Sequence, residues 1–218
     1  VGLVSIQFGN NETGIVQPVA ECARLCASYD VPLHTDAVQA VGKVDVNFRE
    51  LGVAAMTVAA HKFHGPPGIG ALLVRSSAAV RPFLSGGHQQ EGLRPGTELV
   101  ALALGMSRAL EAWFAESESR SERMLQLRGQ LERAIRAAEP DATIVGENRP
   151  RLPHIANLAF RGIDRQALVM ALDLSGVACS TGSACASGSS EPSPTLRAMG
   201  LAEEVIGGSI RVSFGATT

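Results

Sequence analysis

Four short apolar runs, at residues 4–8, 32–35, 54–59 and 70–74, constrain the fold of this chain most. Each is bounded by Gly, Pro, Asn, Asp or His and is too short for a buried helix, so each reads as a strand. Between the first two, Asn10-Asn11-Glu12-Thr13-Gly14 reads as a turn, and residues 18–29 carry an amphipathic helical pattern with Pro18 near its first turn. Strands and helices alternating over such distances predict an α/β layer: a mostly parallel sheet with helices on both faces. In such sheets ligands sit at the carboxyl ends of the strands.

The pattern changes after the glycine-rich polar stretch at residues 85–97. Residues 98–138 read as helical, and the spacing of Leu125, Leu127, Leu131 and Ile135 among Arg and Glu suits one long connecting helix with a solvated charged face. Strands are expected at 143–145, 155–160 and 209–214, with helices at 164–174 and just after Pro194. This order, without strict alternation, predicts a smaller α+β domain. The expected division is a partial ligand-binding α/β domain over residues 1–119 and the α+β domain over 120–218. No internal repeat or low-complexity segment is evident. The chain begins inside a strand pattern without an initiator Met and stops just after another strand, so it reads as a piece of a longer protein.

With 218 residues, 45% hydrophobic and 18% charged, the chain can bury a sizeable core. A net charge of -2 gives no electrostatic reason to expect nucleic acid or an anionic membrane as partner, and a small organic substrate fits better. No apolar run approaches the roughly 20 residues that span a bilayer, and no secretory leader is evident, so a cytoplasmic location is expected. Four cysteines, Cys22, Cys26, Cys179 and Cys185, are too few for a disulfide framework. Cys22 and Cys26 fall on the apolar stripe of the first helix, where core packing is the ordinary outcome and zinc a poor reading. Cys179 reads as a buried strand position.

Three places carry chemistry. Lys62, in His61-Lys62-Phe63-His64-Gly65-Pro66-Pro67-Gly68-Ile69-Gly70, stands at a strand end, and upstream Asp36 stands at the end of another. A lysine can hold an aldehyde cofactor as a Schiff base, and a carboxylate can keep a pyridine nitrogen protonated, so the pair points to pyridoxal phosphate (PLP). Each alone has a plainer reading, Lys62 as a surface lysine and Asp36 as a cap or turn residue. A phosphate-binding P-loop is excluded at residues 65–70, since Gly-Lys-Ser/Thr is absent and a strand follows where a helix should start. The second place is Cys185, within Gly182-Ser183-Ala184-Cys185-Ala186-Ser187-Gly188, whose small neighbours suit a nucleophile that travels as well as a filler in a surface turn. The third is Arg211 in an apolar strand, either facing outward or pairing bidentately with a substrate carboxylate. His34, His64 and His154 read as structural. The sequon at Asn11-Glu12-Thr13 carries no weight without secretion.

Taken in order, Asn10-Asn11-Glu12-Thr13-Gly14, His34-Thr35-Asp36-Ala37-Val38-Gln39, His61-Lys62 with its Gly/Pro loop, Arg94-Pro95-Gly96-Thr97, Ser183-Ala184-Cys185 and Ser209-Ile210-Arg211 resemble the cysteine desulfurases of the class V aminotransferase-like, fold-type I PLP enzymes. The resemblance is to the longer-loop group that serves iron-sulfur assembly. It implies that Lys62 is the Schiff-base lysine and general acid/base, that Asp36 faces the pyridine nitrogen, and that Gln39 donates to the phenolic oxygen. It implies phosphate contacts from His61 and, across a homodimer, from Thr97, and it implies that Asn11 and Arg211 hold the substrate carboxylate. Cys185 would take the sulfur of L-cysteine as a persulfide, releasing alanine, and pass it to a sulfur-acceptor or iron-sulfur scaffold protein. Ala59 stands where the family commonly has a phosphate-contacting serine. The family's earlier segment, with a phosphate-cradling Thr and a ring-stacking His, and its last helix are missing here. Selenocysteine lyase and transaminase are alternatives on the same fold. A non-catalytic truncated remnant acting as a binding scaffold is the alternative from another class.

Overall fold

A computed structural model describes residues 1–182 and 191–218, which form two units. The first unit, Val1–Phe8 with Gln17–Ser117, holds four strands: β1 (Val4–Gln7), β2 (Leu33–Asp36), β3 (Ala55–Ala59) and β4 (Gly70–Val74). They form one sheet in the order β1-β2-β3-β4, with the first three parallel and β4 antiparallel to β3. The register pairs Gln7 with Asp36 and Asp36 with Thr57, so β1 and β2 end level and β3 runs on past them to Ala59. Period-two burial follows the apolar runs: Leu33 and Thr35 on β2 and Met56 and Val58 on β3 are buried, and their neighbours are not.

Helix α1 (Val19–Ala27) buries Val19 and Ala23. Cys22 and Cys26 on the same helix are half-buried, so they pack at the margin of this core and not inside it. The short α2 (Phe48–Leu51) starts at Asn47, whose side chain accepts from the Arg49 and Glu50 amides, and it ends at Gly52 in the left-handed region. Its four residues are too few for periodicity to reveal. The connection from β4 runs through a short 3-10 turn (Gln89–Gly92) to α3 (Val100–Ala115), which buries Trp113.

The second unit is Gly9–Val16 with Glu118–Thr218. Its sheet is antiparallel, in the order β5 (Thr143–Ile144), β6 (Ile155–Ala159), β7 (Ser209–Ser213). All five residues of β6 are buried. Its helices are α4 (Ser117–Ala138), α5 (Arg165–Leu174), α6 (Pro194–Ala198) and α7 (Glu203–Gly207), the last of which no sequence signal announces. Ile144, Ala156, Leu158 and Ile210 form the core, covered by Leu131 and Ile135 of α4 and by Leu168, Val169 and Leu172 of α5. Cys179 lies against this core in an extended stretch outside the strands. It is half-buried where a buried strand position was expected.

The single helix expected over 98–138 is two helices. Glu116 breaks it with φ -134° and ψ 20°, its amide turned back to the Trp113 carbonyl. The two helices serve different cores, α3 through Trp113 and α4 through a stripe that includes Met124, Leu127, Leu131 and Ile135. Leu125, expected on that stripe, is 50% exposed, because the true stripe is set one residue earlier by Met124. A bidentate pair from Arg151 to Glu132 (2.7 and 3.1 Å) ties α4 to the strand connection, and Arg128 donates to the Leu152 carbonyl. Among the described residues no helix is long and apolar enough to cross a membrane.

Candidate active site

In the first unit, Asp36 is the last residue of β2 and Lys62 follows β3 within the 3-10 turn Ala60–Phe63. These strands are adjacent and parallel, so both residues stand at the carboxyl end of the sheet. A chain of small features holds the Lys62 turn against the segment that follows β2. Lys43 is buried, and its ammonium donates to the Lys62 carbonyl at 2.9 Å. One residue earlier, Gly42 has φ +76°, and a Cβ there would lie 2.2 Å from the Phe63 Cβ. Only a glycine allows that approach. Ala60 and Phe63 are buried, which turns Lys62 away from the core, and the Ala60 carbonyl accepts from the Gly65 amide. On α3, Gly105 leaves room for Pro66 of the Gly/Pro loop.

The sequence contains two lysines, Lys43 and Lys62. Lys43 is committed to the Lys62 carbonyl, whereas the half-buried Lys62 ammonium has no hydrogen bond or ion pair to the described residues. Asp36 is exposed: one carboxylate oxygen accepts from the Val38 amide at 2.9 Å, which orients the group and leaves the other oxygen open. Gln39, half-buried in the same turn, has an amide without a partner among the described residues. His61 and Thr97 are exposed. An unengaged amine, an oriented carboxylate and an open amide at one end of a parallel sheet match the donor set that PLP requires.

The second unit brings together two residues 200 positions apart in sequence. Arg211 on β7 donates from Nη1 to the Asn11 carbonyl at 2.9 Å. The Asn11 turn is built by Asn10, whose Oδ1 accepts from the Glu12 and Thr13 amides (both 2.9 Å) and from the Thr13 hydroxyl. Arg211 is partly buried, not outward-facing, and its Nε is buried without a partner among the described residues. Burial pushes its pKa down and the Glu12 carboxylate opposes that, so the guanidinium keeps its charge while losing water. A buried guanidinium with an unsatisfied N–H is suited to a carboxylate ligand.

Glu12 and Lys43 were not singled out by sequence reasoning. Glu12 is 4% exposed, and its oxygens accept from Ser193 (2.6 Å) and Thr195 (3.2 Å). The signal available was a carboxylate between Asn11 and Thr13 in a turn that otherwise reads as solvated. Cys185 lies outside the described residues. The approach to it is described: Ser180 exchanges both backbone hydrogen bonds with Arg211. Among the expected structural histidines, His34 Nδ1 meets the Ser5 hydroxyl at 2.8 Å, His64 closes the Lys62 turn at φ +66°, and His154 is buried.

The family model for aminotransferase class-V matches residues 1–218. A cysteine desulfurase IscS of Dictyoglomus turgidum is 41% identical over 216 residues, which is 99% of this chain and 55% of that protein. An IscS-like cysteine desulfurase of Mycobacterium tuberculosis is 42% identical over 100% of the chain and 56% of its own length. The chain thus spans about half the length of the curated relatives it matches. Among solved structures, the NifS-like protein of Rickettsia africae superposes with a TM-score of 0.90 at 31% identity, covering 99% of this chain and 57% of that one. A structure titled SspA in complex with cysteine superposes with a TM-score of 0.80 at 30% identity, over 98% of this chain and 59% of that one. With the α/β sheet, the antiparallel second unit and a family match running end to end, the chain belongs to the aminotransferase class-V family.

Proposed function

We propose that the protein containing this chain is a PLP-dependent cysteine desulfurase that converts L-cysteine to L-alanine and keeps the sulfur as a persulfide on Cys185. The observation that carries the cofactor half is Lys62: of the two lysines it is the one whose ammonium is not engaged by any described residue, and it follows the strand paired with the one that ends in Asp36. The names of the curated relatives favour desulfuration over other chemistries of the family. A structural relative whose title records bound cysteine favours L-cysteine as substrate.

When bound, PLP supplies an electron sink for the pair left at the substrate Cα. The side chains of this chain do the rest. Lys62 would hold the cofactor through its amine and, when that amine is free, would take the Cα proton as general base and give a proton back as general acid. Asp36 would keep the pyridine nitrogen protonated, Gln39 would donate to the phenolic oxygen, and His61 would serve the phosphate. Thr97 would serve the phosphate of a second subunit in a homodimer. Arg211, with Asn11, grips the substrate carboxylate and so fixes which substrate bonds face the catalytic groups. The Cys185 thiolate then bonds to the substrate sulfur while the Cβ–S bond breaks. The bonding pair stays with the three-carbon fragment, which gains a proton and leaves as alanine. A sulfur-acceptor or iron-sulfur scaffold protein in the cytoplasm would take the persulfide sulfur.

The complete protein, supplied with PLP, L-cysteine and a reductant, should release alanine and sulfide in equal amounts. Cys185→Ala should stop this without changing PLP uptake. Turnover unchanged in Cys185→Ala would remove the nucleophile from the proposal. Conversion of an added keto acid to its amino acid, with mercaptopyruvate and no alanine formed from the L-cysteine, would instead mark a transaminase.

A further inference from the structure

Strand β6 is buried at all five positions, yet its middle residue is Asn157, 0% exposed between Ala156 and Leu158. Alternation along β6 and β7 explains which way it faces. Ala156, Leu158 and Ile210 belong to the apolar core under α4 and α5, so Asn157, Ser209 and Arg211, out of step with them, share the other face of the sheet. The register sets Asn157 directly opposite Arg211. The turn of residues 10–14 lies on that face, and the two strands bind consecutive carbonyls of it. Arg211 Nη1 donates to the Asn11 carbonyl at 2.9 Å, and Asn157 Nδ2 donates to the Glu12 carbonyl at 3.3 Å. The Asn157 amide is itself oriented by Ser209, also buried, whose hydroxyl donates to Oδ1 at 3.1 Å. A buried amide is tolerated where its bonds are made, and a leucine of the same branching would fill the position without needing any. Packing alone therefore does not account for an asparagine here.

We propose that Asn157 is a positioning residue for the substrate-carboxylate grip, holding the turn that carries Asn11 in a fixed place relative to Arg211; this deepens the desulfurase reading and rests on it. Arg211 is a poor sole tether for that turn. Its side chain is long, and an arginine that moves toward a ligand would carry a turn held only by it. Asn157 ties the same turn to the same sheet through a short side chain that does not depend on the guanidinium. Asn10 stiffens the turn from within, its Oδ1 accepting from the Glu12 and Thr13 amides, so fixing the Glu12 carbonyl fixes Asn11 as well. The Asn11 side chain is half-buried and has no partner among the described residues. It therefore keeps its place, ready for a ligand, when Arg211 engages a carboxylate. Planar, two-point recognition of a carboxylate depends on spacing held this closely.

The test uses the complete PLP-loaded protein and its Asn157→Leu variant, which keeps the side-chain shape and removes both hydrogen bonds. Should that variant fold poorly, Ser209→Ala takes its place, since it removes only the bond that orients the Asn157 amide. Two affinities are read from the change in the visible band, for L-alanine and for L-alaninamide, which carries a neutral amide in place of the carboxylate. Hydrogen exchange of the Glu12 and Thr13 amides is read on the PLP-free protein. For Asn157→Leu, L-alanine affinity should fall by about tenfold or more, L-alaninamide affinity should stay within about threefold, and the two amides should exchange about tenfold faster. Ser209→Ala should move L-alanine affinity and exchange in the same directions by about threefold or more. L-Alanine affinity within about twofold of wild type, an equal fall for both ligands, or unchanged exchange at residues 12 and 13 would each overturn the proposal. Arg211→Lys separates it from the reading beneath. Selectivity for the carboxylate lost in Arg211→Lys and kept in Asn157→Leu would overturn the role of Asn157 alone, whereas selectivity kept in Arg211→Lys would overturn the grip itself.

Discussion

Gly42→Ala tests how Lys62 is placed. The new Cβ would lie 2.2 Å from the Phe63 Cβ, against the roughly 3.5–4.0 Å at which carbon atoms pack, so one side must move by about 1.5 Å. Glycine here also has φ +76°, a conformation that costs an L-residue about 1–2 kcal/mol. Overpacking adds about 1–3 kcal/mol, and the lower entropy of the unfolded alanine chain returns about 0.4–1 kcal/mol. The net loss should be about 2–4 kcal/mol. Gly52→Ala is the control: it has φ +73°, but its Cβ would meet only the Ala23 Cβ at 3.7 Å, an ordinary contact. That variant should lose about 1 kcal/mol from backbone strain with less packing cost. The functional consequence belongs to Gly42 alone, because Phe63 adjoins Lys62 and the Lys43 ammonium holds the Lys62 carbonyl. A displacement near 1 Å at a reacting group can cost about a hundredfold in rate. Urea unfolding of the PLP-free complete protein gives the stability difference, and borohydride trapping gives PLP uptake. Equal losses for the two alanine variants, with normal PLP uptake in both, would refute the packing argument.

Three further outcomes are expected. Glu132→Ala leaves the Arg151 side chain, 5% exposed, without its carboxylate and should cost about 3–5 kcal/mol in urea unfolding; a loss under about 1 kcal/mol would show the pair to be dispensable. Arg211→Lys keeps the charge but loses the planar fork, so KM for L-cysteine should rise about tenfold or more, while PLP uptake is unchanged. Cys179 has its thiol pKa pushed up by burial first and by the Asp173 charge second, so at neutral pH it should alkylate more slowly than a free cysteine peptide. Because the folded pKa lies above the unfolded one, the stability tied to this thiol is present below the ordinary thiol range and lost as pH rises through the folded value. Cys179→Ala should flatten that alkaline loss in a pH series of unfolding measurements.

The sheet of the first unit was readable because its strands are short apolar runs ended by chemically distinct residues. Asp36 and Lys62 stood out for the same reason. What was hidden depends on distant packing. Residues 10–14 read locally as a turn, yet Glu12 and Thr13 are buried there and the Glu12 carboxylate is satisfied by Ser193 and Thr195, 181 and 183 positions away. No local period reports such a contact. The break at Glu116 was hidden because both flanking segments are good helix formers, and what separates them is which core each one buries. Nothing in the local sequence marks Lys43, and only the fold shows its ammonium donating to the Lys62 carbonyl.

The most direct measurement of the central claim is borohydride reduction of the complete protein after PLP addition, followed by peptide mass mapping. The account predicts one reduced phosphopyridoxyl adduct on the peptide containing Lys62, lost in Lys62→Ala. An adduct on Lys43, or none on folded protein that shows no visible PLP band, would contradict it.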